Sequence, residues 1–300
     1  MAQLPPPHSN QAYCDVSALE GGLLDMPAHL FVTSAPKTER NIVPSLSFLI
    51  THLNTDTRIV FDLGIRADIE NYPELTRKRL SDVFKAQIPN DVPSSLKKGG
   101  LEPSDIKYVC LSHCHWDHTG NTDLFSNARF IVGSEVRKLF QPGYPEDPTS
   151  PFPSSLLPKG RTEFLDVNSK GWGPIGPFPR ALDYFDDGSL YFVDAPGHLH
   201  GHLNLLARTS ADGGWIYLAG DAAHDWRLIR GQGEIAMYQA GDGGGLTCIH
   251  HDKGQAEATI KRIASLLTLP RVRVILAHDG EWYNRSKDSD QFWPGKIYSL

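Results

Sequence analysis

The stretch Leu111-Ser-His-Cys-His-Trp-Asp-His-Thr-Gly-Asn121 gathers four metal-capable side chains, His113, His115, Asp117 and His118, within six residues. Neutral imidazole and ionised carboxylate are the donors a borderline cation such as zinc accepts. Directly before it runs Ile106-Lys-Tyr-Val-Cys-Leu111, a short apolar, partly β-branched segment that reads as a buried strand. The cluster therefore belongs on the loop leaving that strand, where open α/β sheets carry their chemistry. In extended backbone His113 and His115 point the same way, and Asp117 and His118 follow as the chain turns. Four donors this close can hardly all serve one tetrahedral ion, which points to two neighbouring ions sharing the cluster. Their order and spacing argue against an incidental His-rich surface loop.

The 300 residues, 40% apolar and 21% charged, can bury a sizeable core, and one domain over 1–300 is expected. A net charge of −6 and a pI near 6.1 give no basic field, which argues against a nucleic-acid partner. No run of about 18 apolar residues occurs, so no membrane association through a span is expected. Met1 to Asn10 are Pro-rich and polar, without the apolar core of a signal peptide, and a cytoplasmic location is the expectation. Cys14, Cys110, Cys114 and Cys248 are too few and scattered for a disulfide framework. Cys110 reads as strand core, and Cys114 should point away from the ligands on either side of it.

Along the chain, residues 1–28 read as an irregular lead-in. Ser45–His52 and Thr57–Asp62 read as a strand pair joined by Leu53-Asn-Thr-Asp56, with His52 solvated at a strand end. Glu74–Phe84 and Val92–Gly100 carry helical patterns, the latter with Pro93 near its start and glycine as its stop. Arg129–Gly133 reads as a strand and Ser134–Phe140 as a helix. Residues 141–180 hold nine of the 22 prolines, a composition that suits a long, stiff loop insertion. Tyr144, Phe152, Trp172 and Phe178 within it either line a substrate pocket or pack the loop onto the domain. Ser189–Asp194, Leu203–Arg208, Trp215–Asp221 and Val272–Asp279 read as strands, and Gln255–Leu267 as an amphipathic helix. Residues 225–250, with Gly241-Asp-Gly-Gly-Gly245, read as a second mobile loop.

Three further candidates share one property with the central cluster: His198, Asp221 and His278 each stand at or just past the C-terminal end of an apolar strand. Together that makes seven donors, enough for two divalent ions and a water. Two such ions about 3.5–4 Å apart lower the pKa of a shared water to near 7, so hydroxide is available to attack a carbonyl that one ion polarises.

His113-x-His115-x-Asp117-His118, Pro196-Gly-His198, Gly220-Asp221 and Ala277-His278-Asp279, in this order over residues 40 to 285, resemble the full metal signature of the metallo-β-lactamase superfamily. The resemblance implies an α/β fold, a four-layer αββα sandwich, with a dinuclear site at one edge of its sheets. It implies that His113, His115 and His198 bind one ion, Asp117, His118 and His278 the other, and that Asp221 bridges them, with Zn2+ the expected metal. It gives His202 a supporting or structural role and leaves His200 exposed.

Five histidines and both aspartates together resemble lactonases, glyoxalase-II-like thioesterases and RNase Z-like nucleases more than the β-lactamases proper. The acidic charge disfavours the nucleases. The His198-to-Asp221 spacing and the ending Ala277-His-Asp279 resemble acyl-homoserine-lactone lactonases and their fungal lactamase relatives. Those lactonases carry a tyrosine three residues after the bridging aspartate; here His224 stands there, which argues against an acyl-homoserine lactone as substrate. His224 either donates a hydrogen bond to the carbonyl oxygen or is a bystander. The expected function is a metal-dependent hydrolase opening a cyclic ester, amide or carbamate of a small molecule, with Asp117 shuttling the proton. A glyoxalase-II-like thioesterase is the alternative. A flavodiiron-like redox partner would need iron, a carboxylate-rich ligand set and a flavin domain, and a mere metal scaffold would not need the complete His and Asp set. A small-molecule substrate is the expected partner, and a homodimer is among the expected states.

Overall fold

Side chains that alternate between two cores generate the architecture. Phe48 and Ile50 enter one buried cluster while Leu49 between them enters another, and Ile59 and Phe61 split from Val60 in the same way. In the second half of the chain Leu205 and Ala207 join the cluster of Phe48, whereas Leu206 faces a third. A period of two is the signature of strands, here buried on both faces. The structure is a computed structural model and describes residues 3–240 and 245–300. Residues 241–244 lie outside the described residues, and the rest of 225–250 is not all loop as expected, since it holds a helix at Trp226–Ile229 and strands at Tyr238–Gln239 and Leu246–Thr247.

Among the described residues the strands form two six-stranded sheets and a small hairpin. The first sheet runs in sequence order: β1 (Cys14–Pro27), β2 (Arg40–His52), β3 (Thr57–Phe61), β4 (Tyr108–Cys110), β5 (Arg129–Gly133) and β6 (Thr162–Leu165). The second contains β7 (Trp172–Ile175), β8 (Phe178–Asp183), β9 (Leu190–Asp194), β10 (Leu203–Arg208) and β11 (Trp215–Leu218). Strands β12 (Tyr238–Gln239) and β13 (Leu246–Thr247) pair only with each other, and β14 (Val272–Ile275) closes the second sheet parallel to β11. The helices are α1 (Glu74–Arg79), α2 (Val92–Lys97), α3 (Trp116–Thr119), α4 (Trp226–Ile229), α5 (Lys253–Leu266) and α6 (Gly280–Ser286).

The cluster of Phe48, Phe61, Phe192, Leu205 and Ile275 lies between the two sheets. Outside the first sheet, Val92 and Leu96 of α2 pack with Leu49, Val60 and Val109. Outside the second, α5 buries Ala256, Ile260, Ile263 and Leu266 against Leu206, Tyr217 and Val274, the helical spacing expected from its sequence. This is the four-layer αββα order. Asp91 and Asp252 cap α2 and α5, accepting from the Ser94 and Gln255 amides at 2.9 Å each.

Several expectations are corrected. Of the lead-in 1–28 only residues 3–13 are irregular among those described; Cys14–Pro27 is a 14-residue edge strand paired antiparallel with β2. Its register shifts between Glu20 and Leu23, around Gly21-Gly22, and that bulge breaks the alternation that would have marked it. The span 141–180 is not all loop: it holds β6, β7 and the start of β8. Pro174 sits at the register shift of edge strand β7 and Pro179 points outward on β8, where a missing N–H is tolerated. Residues 134–140 form the expected helix, of the 3₁₀ type, and α1 with its π-helical continuation over 80–84 makes up the expected helix 74–84. Among the described residues no helix is long and apolar enough to cross a membrane.

Candidate metal centre

One edge of the sandwich collects the loops that follow β3, β4, β9, β11 and β14, and these loops bring all seven predicted donors together. At a first position His113 Nε2 lies 3.0 Å from His115 Nδ1, and His198 Nε2 also lies 3.0 Å from His115 Nδ1. Asp221 Oδ2 completes the group at 3.7 Å from His113 Nε2 and 3.4 Å from His198 Nε2. At a second position His278 Nε2 lies 3.4 Å from Asp117 Oδ2, and His118 Nε2 lies 3.8 Å from it. Asp221 Oδ1 stands 3.3 Å from both of these imidazole nitrogens. Ligands about 2.0–2.2 Å from a tetrahedral ion stand roughly 3.3–3.6 Å from each other, so both groups have the dimensions of a cation shell.

The hydrogen bonds behind the rings decide where their lone pairs point. Asp62 accepts from the Ser112 amide at 2.6 Å, from Ser112 Oγ at 2.7 Å and from His118 Nδ1 at 2.9 Å. Burial raises its carboxyl above the ordinary range against the opposing pull of His118 and Ser112, and the three donors around it favour the ionised form. Since Ser112 Oγ gives its hydrogen to Asp62, the hydroxyl must accept from His113 Nδ1 at 2.9 Å. His278 Nδ1 donates to the Pro44 carbonyl at 2.9 Å. In His113, His118 and His278 the proton is thus spent on the far nitrogen and Nε2 offers its lone pair to the centre. Among the described residues His118 Nε2 and Asp221 Oδ1 are buried without a hydrogen-bond partner, as atoms destined for an ion would be. The donor set fits two cations.

The two positions differ electrically. Burial and the neighbouring imidazoles hold His113 and His198 well below the ordinary histidine value, and burial lowers His115 to about 4, so these rings stay neutral. Burial also opposes charge on His118, but Asp221, Asp117 and Asp62 outweigh it and raise its pKa well above the ordinary value. His278 is raised against burial by Asp221 and Asp117. Asp221 itself, despite burial, is held well below the carboxylate range by His118, His278 and His224. The field that favours a proton on His118 favours any cation there.

Backbone geometry seats Asp221. Gly220 has φ 47°, and a Cβ there would lie 2.9 Å from His202 Nε2 and 3.1 Å from Ser112 Cβ, so the close approach needs glycine. His202 donates from Nδ1 to the Ala195 carbonyl at 3.2 Å and accepts the Asp221 amide on Nε2 at 3.1 Å, the supporting role expected of it. Burial holds it at about 3. His200 is partly exposed, 3.7 Å from Glu135.

His224 Nε2 stands 3.1 Å from Asp221 Oδ2, and its Nδ1 is buried without a hydrogen-bond partner among the described residues. It touches a carboxylate rather than standing aside. Cys114 packs into the outer core of the first sheet, where burial pushes its thiol up, and it takes no part. His52 is not solvated but buried, 2.8 Å from Asp187, on no metal group. Two residues that sequence reasoning missed belong to the site: Asp62 and His250, the latter buried with Nδ1 3.3 Å from His198 Nδ1 and held by burial at about 3. Asp62 stands just past an apolar strand and the strand-end pattern could have found it; nothing in the sequence around His250 marks it.

A cleft of about 260 Å³ opens onto both positions through His115, Asp117, His198, Asp221, His224 and His278. Its walls are apolar, with Met26, Phe31, Trp116, Phe152 and Ile249 among them. Of the four loop aromatics, Phe152 lines it; Phe178 instead stacks on Tyr217, with ring centroids 5.0 Å apart, and Trp172 packs on the inter-sheet core.

The chain is 37% identical over 171 residues to the γ-lactamase MBL2 of Gibberella moniliformis, covering 55% of this chain and 70% of that one. It is 29% identical over 313 residues to the cytochrome P450 monooxygenase mpaDE' of Penicillium brevicompactum, covering 97% of this chain. The chain spans only 36% of that relative's length. A crystal structure of a B. thuringiensis AiiA mutant with N-decanoyl-L-homoserine at its active site superposes with a TM-score of 0.68 at 19% identity, covering 94% of this chain and 98% of that one. The family model described as the metallo-beta-lactamase superfamily matches residues 40–278, from β2 to the last of the seven donors. With that match, the αββα order and the two His/Asp groups at one sheet edge, the chain belongs to the metallo-β-lactamase superfamily.

Proposed function

We propose that this chain is a hydrolase holding two divalent ions, zinc being the expected metal, and that it opens the lactone or lactam ring of a small molecule. The observation that carries this reading is Asp221, whose two oxygens reach separate His/Asp groups, Oδ2 toward His113 and His198, Oδ1 toward His118 and His278. His113, His115 and His198 would hold one ion, Asp117, His118 and His278 the other, and Asp221 both. Two ions bound there would supply Lewis acidity and water ionised near neutral pH.

The chain's own side chains do the rest. Asp117 needs one oxygen for the second position and also lines the cleft. Its other oxygen can take the proton released when water adds to the carbonyl carbon and pass it to the ring heteroatom as the C–O or C–N bond breaks. His224 donates from Nε2 to Asp221 Oδ2 and so keeps that carboxylate turned to both positions. The apolar walls around Phe31, Trp116 and Phe152 suit a flat aromatic body, and 260 Å³ suits a small one. A γ-lactamase among the relatives supports a ring substrate.

The test is hydrolysis of a panel of small lactones, lactams and thioesters by the metal-loaded protein beside Asp117→Ala. Ring opening that disappears in the variant is the expected result. Cleavage confined to thioesters would select the glyoxalase-II-like alternative, and no hydrolysis with two ions bound would overturn the reading.

A further inference from the structure

His250 lies outside the seven donors, yet its contact with one of them is specific. The segment around it is strapped to the loop that carries His198. The His251 amide donates to the His198 carbonyl and the Asp252 amide to the Gly197 carbonyl, each at 2.9 Å. Thr259 Oγ1 donates to the Pro196 carbonyl at 2.8 Å. Gly197, at φ 127°, approaches α5 so closely that a Cβ would fall 2.2 Å from the Ala256 nitrogen. The start of α5 therefore sets His250 against the back of His198, with Nδ1 to Nδ1 at 3.3 Å.

A neutral imidazole has one lone pair and one N–H. If His198 Nε2 gives its lone pair to the first position, its Nδ1 carries the proton, and His250 Nδ1 must accept it. His250 then carries its own proton on Nε2, which is buried without a hydrogen-bond partner among the described residues. Burying an unpaired donor is unfavourable, so a merely space-filling role would be served better by an apolar side chain. His198, His224 and His250 are also near enough to enclose an ion of their own. That would require a second lone pair on His198, which a neutral ring does not have.

We propose that His250 is the positioning residue for His198: it accepts the His198 Nδ1–H and thereby aims Nε2 at the first metal position. It would do for His198 what Ser112 does for His113, Asp62 for His118 and the Pro44 carbonyl for His278. The inference rests on the proposed metal centre, and stoichiometry in the unmodified protein tests that centre separately.

The experiment is zinc titration against a competing chelator for the unmodified protein, His250→Leu and His250→Gln, with cobalt absorption spectra of each. The unmodified chain is expected to bind two ions. His250→Leu should weaken one of them about 10–100-fold and leave the other unchanged, with the cobalt spectrum altered. His250→Gln, whose amide oxygen can accept the same N–H, should return to within a few-fold. A purely structural residue would weaken both ions, or neither, and would show no rescue by glutamine. Native affinity for both ions in His250→Leu would overturn the proposal. So would three ions in the unmodified chain with the third lost in His250→Leu. If the unmodified chain binds a single ion, the two-metal reading falls, and weakening of that ion in His250→Leu still decides the role of His250.

Discussion

The two halves of the centre are built from opposite electrostatics. The first position is three imidazoles kept neutral by burial, two of them well below the ordinary value and His115 at about 4. The second holds two imidazoles raised by Asp117 and Asp221, with Asp62 behind His118 adding to the pull. One site presents lone pairs that resist protons; the other presents negative charge that invites any cation. Asp221 belongs to both, which makes the pair one device rather than two.

Asp221→Asn should have the largest effect, because it weakens both positions at once. Both ions should bind more weakly and hydrolysis should fall on the order of 10³-fold or more, as expected when several kcal/mol of metal assistance are lost. Metal analysis after gel filtration, together with initial rates, checks this. Loss of one ion only would mean that the carboxylate does not join the halves.

Asp62→Asn should separate the halves. It leaves His118 Nδ1–H and the Ser112 donors facing an amide, so the second position should lose about 10–100-fold in affinity while the first changes little. Breaking a buried ionic contact also costs about 3–5 kcal/mol, visible as a lower midpoint in urea. Asparagine tolerates the left-handed backbone of this position, φ 61°, so strain should not confuse the result.

In the metal-free protein the halves respond to pH in opposite senses. His113, His115 and His198, with His202 and His250 beside them, have folded pKa values below the unfolded value of about 6.5. As pH falls from about 6.5 the unfolded chain takes up protons that these rings refuse, so stability falls, down to the folded values of about 3–4 for His115, His202 and His250. His118 and His278 have raised values; their contribution is fully present below about 6.5 and is lost as pH rises through the folded pKa. Five rings against two predict a lower melting temperature at pH 5 than at pH 7. An unchanged or higher melting temperature at pH 5 would contradict the neutral character assigned to the first position.

The smallest effect should come from the cleft wall. Phe152→Ala should raise KM roughly tenfold for an aromatic substrate, with kcat and metal content nearly unchanged, because the ring lines the cleft without facing either position through a donor atom.

Much of this centre is legible in the sequence because the chemistry sits where apolar runs end. His198, Asp221 and His278 stand out for that reason, and Asp62 obeys the same rule, though turn formation is a sufficient reading of Asp62-Leu-Gly64 by itself. His250 is different: it follows a Gly-rich segment and only the two-residue strand β13, and the packing of α5 against Gly197 brings it to His198. Strand β1 hides because Gly21-Gly22 interrupts its alternation, and β7 and β8 hide because prolines at outward or bulged positions look like loop. In each case the missing information is a tertiary contact, not a local preference.

Anomalous diffraction at the zinc edge, on crystals of the zinc-loaded protein, tests the central claim most directly. The account predicts two peaks about 3.5–4 Å apart, one among His113, His115 and His198 and one among Asp117, His118 and His278, with an oxygen of Asp221 turned to each. A single peak, or two with Asp221 contacting only one, would contradict it.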